Sequence, residues 1–385
     1  MRLFVAFLAI TLAAACDEAR SPDAFSGPPA FHDEGYPERL SDWNVIRAER
    51  GALRLNAGVT PYELATPLFS DYALKLRTVY LPAGSAADYR NDEVFEFPVG
   101  AIITKTFYYV EGADGTVSDA PAPVLDMPTP DLAGSELASL DLTGVRLMET
   151  RVLARRADGW VAIPYVWDER QRDATLKRTG AVMPMTLRRD GAPPVDFPYV
   201  APNQNQCRGC HAPNNTTRAL SPIGPKARHL NAPSRYAGGR NQLAAWREAG
   251  ILSASDAQLA AAPANARWTD ENAPVAARAR AYLDVNCSHC HNDVGPADTS
   301  GLDLTPAAAH GPKLGFCKSP IAAGDGTGGR PFDIVPGDPD RSILLFRMET
   351  TNPAAMMPEL GRALSHDEGV ALVRDWILSL GGGCA

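Results

Sequence analysis

The pentad C-x-x-C-H occurs twice in this chain, as Cys207–His211 and as Cys287–His291. Two thiols on one tight turn can each bond to a vinyl group of a haem, and the adjoining histidine can then ligate the iron. We therefore predict two covalently bound haems c. The predicted attachment and ligand residues are Cys207, Cys210, His211, Cys287, Cys290 and His291.

Other chemistry remains open for such cysteines. A single C-x-x-C can be a redox dithiol or half of a zinc site. A zinc site would require the cysteines of both pentads to converge while the two adjoining histidines stayed unused. The repetition of the complete pentad favours haem attachment over both alternatives.

Residues 1–16 are typical of a bacterial secretion signal that ends in a lipid-attachment cysteine. Arg2 supplies the positive end, 3–12 is apolar, and three alanines precede Cys16. We predict a signal and lipobox over 1–16 with lipidation of Cys16, and a plain cleaved signal is the alternative. The protein would then be exported to the periplasm and held on a membrane by its N-terminal lipid. Asp17, the residue directly after Cys16, does not decide whether the lipid would lie in the inner or in the outer membrane.

The remaining cysteines and the charge set further expectations. Of seven cysteines, Cys317 and Cys384 lie outside the pentads and the lipobox, and an oxidising compartment favours a disulfide between them over two free thiols. The net charge of −8 is spread along the chain without a basic cluster, so no nucleic-acid partner is expected. A redox partner protein steered by charge would be basic.

The chain divides into segments of different composition. Residues 17–37 are rich in Pro, Gly and Ser and predict a flexible tether. Residues 38–200 alternate apolar and polar side chains and predict a β-rich domain, with a hairpin turning at Asp158-Gly159. Residues 201–272 would hold the first haem, and 273–385 the second.

Residues 274–380 resemble the class I cytochrome c fold. A helix leads into Cys287–His291, a Gly- and Pro-rich loop follows, and Met357-Pro358 precedes a last helix. The resemblance implies that Met357 is the sixth ligand of the second iron, since neighbouring Met356 would point away. It also implies an aromatic contact between Tyr282 and Trp376 where the two helices cross.

The whole chain is similar to a family of bacterial dihaem c-type cytochromes, often lipoproteins. The similar segments are Leu40–Trp43, Thr66–Ala73, Phe97–Gly100, Pro202–Cys207, Tyr282–Cys287 and Val335–Pro339. The resemblance implies haem binding and electron transfer. The expected fold is a multidomain α+β protein, with an N-terminal β-rich, sandwich-like domain followed by a mainly α-helical class I cytochrome c-like region. The strand pattern of 97–109 is also similar to cytochrome P460-type β-domains.

The sixth ligand of the first haem stays open. His229 is the only histidine between the two pentads, Met183 and Met185 lie upstream, and an open axial position is the remaining alternative. An open position would allow a peroxidase-like dihaem oxidoreductase instead of an electron carrier. A third alternative is a surface-binding module with accessory haems. The polar and aromatic group Trp160, Tyr165, Trp167, Asp168 and Glu169 is interpreted as a packed β core with a polar rim rather than as a site.

Overall fold

The computed structural model describes residues 25, 27–49, 51–121, 139–321 and 323–384. The predicted signal segment and Cys16 lie outside the described residues. The strands are β1 (Ile46–Glu49), β2 (Ala52–Leu55), β3 (Val59–Tyr62), β4 (Leu74–Tyr80), β5 (Ala87–Asp88), β6 (Ile102–Glu111), β7 (Val117–Ser118), β8 (Ser139–Asp141), β9 (Val145–Arg156), β10 (Gly159–Trp167), β11 (Ala174–Leu176), β12 (Ala181–Arg188), β13 (Val195–Ala201) and β14 (Leu252–Ser253). The α-helices are α1 (Gln204–His211), α2 (Ala227–Leu230), α3 (Gln242–Glu248), α4 (Asp256–Ala260), α5 (Val275–Asn286), α6 (Ile343–Glu349) and α7 (Asp367–Ser379).

A nine-stranded sheet organises the first half of the chain. Its order is β11-β10-β9-β6-β7-β12-β13, and β4 also pairs with β6 and with β3. The pairings are antiparallel except for the short parallel pair of β7 and β12. β9 and β10 form the hairpin that the sequence predicted, and Gly159 takes a φ of 140° at its turn. This element of the prediction is confirmed.

Both faces of the central strands are covered. Successive side chains of a strand point to opposite faces, and one face packs against the three-stranded sheet β1-β2-β8 around the fully buried Trp43. The opposite face carries a second apolar cluster, in which Val79, Ile103 and Leu153 meet Leu243 and Trp246 of α3. The segment that follows the strands therefore packs against the sheet and helps to form its core.

The connection between these two parts also includes backbone pairing. β14 runs parallel to β5, with Leu252 opposite Ala87. Phe95 lies in the same apolar cluster as Trp246, with ring centroids 6.5 Å apart. Residues that lie more than a hundred positions apart in sequence thus share one core.

The predicted fold class is wrong. Among the described residues the protein is β-rich, with sheets of nine, three and two strands, and the described part that follows them is not a mainly α-helical class I cytochrome c-like region. In the described part of 273–385, only α5, α6 and α7 are α-helical, with 12, 7 and 13 residues. Long Gly- and Pro-rich loops separate them, because Pro lacks the helical N–H donor and Gly loses the most backbone entropy in a helix.

The helices of the C-terminal part pack differently from the prediction. Tyr282 of α5 contacts Trp268 and His366, and Trp376 of α7 contacts Phe316, so the expected ring pair of Tyr282 and Trp376 is replaced by other partners. The two helices approach closely at Gly369, where an added Cβ would lie 2.5 Å from the Tyr282 hydroxyl. A small residue there allows the contact.

Candidate functional site

The first pentad lies on α1, directly after the last strand of the large sheet. Asn203 caps the helix: its side chain accepts the N–H of Gln206, and the Gln206 side chain accepts the N–H of Asn203, both at 2.9 Å. Cys207 and Cys210 are three positions apart, so they share one side of the helix. Cys207 is buried in the apolar cluster that also contains Ile103 and Leu153. The thiol side of α1 therefore faces the sheet.

The imidazole of His211 is oriented through one ring nitrogen. Its Nδ1 donates to the backbone oxygen of Ser221 at 3.0 Å, and the Ser221 N–H donates to the His211 oxygen at 2.7 Å. Burial, reinforced by Lys105, lowers the pKa of His211 to about 4. The ring is thus neutral near pH 7, and Nε2 carries the lone pair. Metal-binding histidines have this arrangement, in which one nitrogen is held by a carbonyl and the other is left to the metal.

The second pentad begins where α5 ends. The N–H groups of Cys290 and His291 both donate to the oxygen of Cys287, at 3.1 and 3.0 Å, and hold the tight turn. His291 Nδ1 donates to Ser300 Oγ at 3.1 Å, because that hydroxyl already donates its proton to Ala297. Burial lowers the pKa of His291 to about 4, with a smaller contribution from Arg347. His291 therefore also presents a neutral Nε2.

The two pentads are in contact. Cys290 Sγ lies 3.6 Å from the backbone oxygen of Gly209 in the first pentad. Hydrogen bonds with Cys290 and with His289 lower the pKa of Cys210. The loops that follow the pentads are joined as well, since the Asn215 N–H donates to the Val294 oxygen at 2.7 Å. His289 of the second pentad therefore lies against Cys210 of the first.

The four pentad cysteines are free thiols, whereas Cys317 and Cys384 form a disulfide with Cα atoms 5.3 Å apart. Within the described ranges, no three His, Cys, Asp or Glu side chains are grouped so that they could hold a metal ion by themselves. The disulfide ties the C-terminal glycines to the loop that contains Cys317. In that loop the Cys317 N–H donates to the Ile334 oxygen at 2.9 Å.

Met357 lies on a loop that is held close to the second pentad. Its N–H donates to the Arg347 oxygen at 2.7 Å, and Arg362 donates to the Met357 oxygen at 3.1 Å. Arg347 in turn acts electrostatically on His291. Met356 is buried and Met357 is half-buried. Met357 is thus the more accessible of the two methionines, and its backbone is fixed by Arg347 and Arg362.

The candidate sixth ligands of the first haem differ in their surroundings. His229 Nε2 lies 3.3 Å from the Asp284 carboxylate, and its buried Nδ1 faces Gly224. Enclosure of both nitrogens favours a structural role. Met183 and Met185 share one side of β12, and Met185 packs in the apolar cluster of Phe107.

The aromatic group near the hairpin is a packed core, as interpreted from the sequence. Tyr165 Oη accepts from Trp43 Nε1 at 2.7 Å, and Trp167 Nε1 donates to Thr150 Oγ1 at 3.0 Å. Asp168 and Glu169 are exposed at its rim. Trp160 is half-buried and lines a cleft of about 440 Å³ beside α1.

Sequence reasoning missed two sets of residues at the site. One is a buried network on Asp284, three positions before Cys287, which accepts from Arg228 at 2.8 and 2.9 Å. The other is a group of cations on the sheet beneath α1, drawn from β4, β6 and β9. Lys75 and Arg77 alternate with leucines in β4, and that alternation was the available signal. The alternation predicts that one face of β4 is polar, but it does not predict which segment covers that face.

Comparison with protein-family models, with curated proteins and with solved structures found no match. Among the described residues, no helix combines the length and the apolar character needed to cross a membrane.

Proposed function

We propose that this protein is an exported dihaem c-type cytochrome that passes single electrons between redox partner proteins. The haems would be bound through Cys207 and Cys210 and through Cys287 and Cys290. The observation that carries the proposal is the contact between the two pentads, where Cys290 Sγ lies 3.6 Å from the Gly209 oxygen. Haems attached at two pentads in contact would lie next to each other, and electrons could then pass between them.

The donor set fits this cofactor. Each pentad offers two free thiols on one turn and a histidine whose Nδ1 is engaged, so Nε2 is the nitrogen that would be left for a metal. The pKa of each histidine is lowered to about 4, which keeps the ring in its ligating, neutral form. When bound, each haem iron would accept one electron and release one, with no bond to a substrate formed or broken.

The chain's own residues would orient the two sites. Ser221 and Ser300 hold the rings of His211 and His291, and the Arg362 contacts hold the loop of Met357. The bond between Asn215 and Val294 fixes the two pentad loops relative to each other. These contacts would keep the distance between the attachment sites constant while electrons pass.

Haem content tests the proposal directly. A pyridine haemochrome assay of the wild-type protein should give two c-type haems per chain. The double variants Cys207→Ser/Cys210→Ser and Cys287→Ser/Cys290→Ser should each retain one. Cys317→Ser/Cys384→Ser is the matched control, since it also removes two cysteines and should retain both haems. A wild-type protein without c-type haem would refute the proposal.

The electron-carrier function is distinguished from a peroxidase-like oxidoreductase by axial ligation. A carrier should show two low-spin ferric haems whose absorption spectra do not change with cyanide or peroxide. A high-spin haem that binds cyanide and turns over peroxide would favour the enzyme instead.

Membrane attachment through Cys16 is part of the same proposal. Wild-type protein should fractionate with membranes, and Cys16→Ser should release it to the soluble periplasmic fraction with both haems in place. A variant that stays on the membrane would contradict lipidation at this residue.

A further inference from the structure

A row of cations crosses the large sheet on the face that α1 covers. Arg77 of β4 lies opposite Lys105 of β6, and Lys105 lies opposite Arg151 of β9. Directly opposed residues in antiparallel strands share one face and lie a few ångströms apart. In the next row of that face, Lys75 lies opposite Phe107. We refer to Lys75, Arg77, Lys105 and Arg151 as the cation row.

The cation row converges on one aromatic ring. The Lys75 and Lys105 Nζ atoms lie 5.6 and 5.2 Å from the Phe107 ring centroid, and the Arg151 guanidinium lies 4.4 Å from it. Like charges brought this close repel each other, and contact with one ring does not offset that cost. The row is therefore energetically unfavourable unless negative charge lies near it.

Only one member of the cation row has a carboxylate partner within the described part of the chain. Arg151 Nε donates to Glu149 at 2.9 Å. Lys75 donates to a backbone oxygen, that of Ala73, at 2.7 Å, and neither Arg77 nor Lys105 forms an ion pair with a described residue. Burying unpaired charges costs several kcal/mol each.

Two other carboxylates act on the cation row, and one of them is paired with a different cation. Asp71 acts on Lys75 electrostatically, but its oxygens accept the backbone N–H groups of Ala363 and Leu364 at 2.7 to 3.0 Å. Glu63 acts on Arg77, but its carboxylate is paired with Arg235 at 3.0 Å. Neutral N–H groups do not cancel the charge of Asp71, so Glu149 and Asp71 together balance two of the four cations when all are ionised, and two positive charges remain.

Three side chains of the cation row are partly enclosed and partly accessible. Lys75, Lys105 and Arg151 keep some accessible surface. Burial is nevertheless the largest cause of the lowered pKa of Lys75 and of Lys105, whose pKa falls to about 7. These side chains are therefore largely surrounded by protein, yet a bound group could still reach them.

The cation row adjoins the first pentad. Cys207 packs with Val79, Ile103 and Leu153, which form the row of the same face next to the cations. Lys105 acts electrostatically on Cys210 and on His211, and Arg151 acts on Cys207. The positive charge therefore lies beside the residues that would attach and ligate the first haem.

We propose that the cation row binds the two propionate carboxylates of the haem attached at Cys207 and Cys210. The inference rests on the proposed function. Two carboxylates would offset most of the excess charge, and charge-assisted hydrogen bonds to Lys and Arg are among the strongest in proteins. The β-sheet would then hold the first haem by its anionic edge, while α1 holds it by the thioether bonds.

The test uses the full-length holoprotein with Lys105→Gln, Lys75→Gln and the conservative Lys105→Arg. Lys177→Gln is the matched control, because it removes the same charge from an exposed lysine outside the cation row. Removing a cation that pairs with a propionate leaves negative charge beside the iron and favours its ferric state. We expect Lys105→Gln and Lys75→Gln to lower one midpoint potential in a redox titration, and Lys105→Arg and Lys177→Gln to leave it close to the wild-type value.

Two further measurements identify the anion. The propionate vibrations in the resonance Raman spectrum should shift in Lys105→Gln and not in Lys177→Gln. Inorganic phosphate, added at constant ionic strength, should leave the wild-type potentials unchanged, because the row is already occupied. A phosphate effect that Lys105→Gln abolishes would show instead that the row binds free anions and would overturn the inference.

Haem content of the same preparations separates the two possible failures. Two haems with unchanged potentials and Raman bands in Lys105→Gln would overturn the propionate inference alone. Absence of covalent haem from the wild-type protein would overturn the proposed function itself.

Discussion

Replacing Asp284 by Asn is expected to destabilise the protein by about 3–5 kcal/mol, because it leaves a buried guanidinium without its counter-ion. Asp284 and Arg228 are 3% and 6% exposed. The carboxylate accepts from Arg228 Nε and Nη2 at 2.8 and 2.9 Å, from Asn265 at 2.8 Å and from Ser288 at 3.0 Å. An amide of the same shape cannot supply the charge or accept all of these donors.

The ionisation of Asp284 supports this magnitude. Hydrogen bonds from His229 and Arg228 outweigh the cost of burial and hold the pKa of Asp284 far below its ordinary value. The charged form is therefore the one that the surrounding residues stabilise. The pair of Lys313 and Asp293 is also 2.8 Å apart, but it is exposed and screened by water, so it should contribute far less.

Urea unfolding followed by far-UV circular dichroism would compare Asp284→Asn with Asp293→Asn. The first should lower the free energy of unfolding by several times more than the second. Arg228→Met combined with Asp284→Asn should recover part of the loss, since the unpaired cation is then removed as well. Equal losses for Asp284→Asn and Asp293→Asn would refute the reasoning from burial.

Three other outcomes are expected. Met357→Ala should lower the midpoint potential of the second haem, because Met/His ligation raises that potential. Met356→Ala should instead lower the free energy of unfolding by about 2–5 kcal/mol and leave the potential unchanged. Equal effects of the two variants on the potential would argue against ligation by Met357. Burial lowers the pKa of His366 from 6.5 to about 4, so the unfolded chain takes up the proton first as the pH falls. The free energy of unfolding should therefore decrease as the pH falls from 6.5 to 4, by up to roughly 3 kcal/mol. In His366→Gln the melting temperature should depend less on pH over that range. An unchanged pH dependence in the variant would contradict the lowered pKa of His366. Cys317→Ser/Cys384→Ser removes a disulfide between residues 67 positions apart in sequence, so the free energy of unfolding measured by chemical denaturation should fall by roughly 4 kcal/mol. An unchanged free energy of unfolding would show that the disulfide does not stabilise the protein.

Local sequence patterns predicted the elements whose cause is local. The β9–β10 hairpin was predictable, because Asp158-Gly159 suits a tight turn between alternating strands. The helix before Cys287 was predictable as well, since its apolar positions lie on one face and Pro274 precedes it. The extent of helix after Cys287 was not, because the loops there are stabilised by tertiary contacts.

By itself, the sequence determined the two pentads, and with them the prediction of covalent haem, because attachment and ligation use residues that are adjacent in the chain. Only the tertiary structure decided that the pentads touch, that Arg228 pairs with Asp284, and that Arg77, Lys105 and Arg151 form one row. The alternation in β4 indicated one polar face of the strand. Which segment covers that face depends on the packing of α1 against a sheet built from distant strands, and no local pattern encodes that packing.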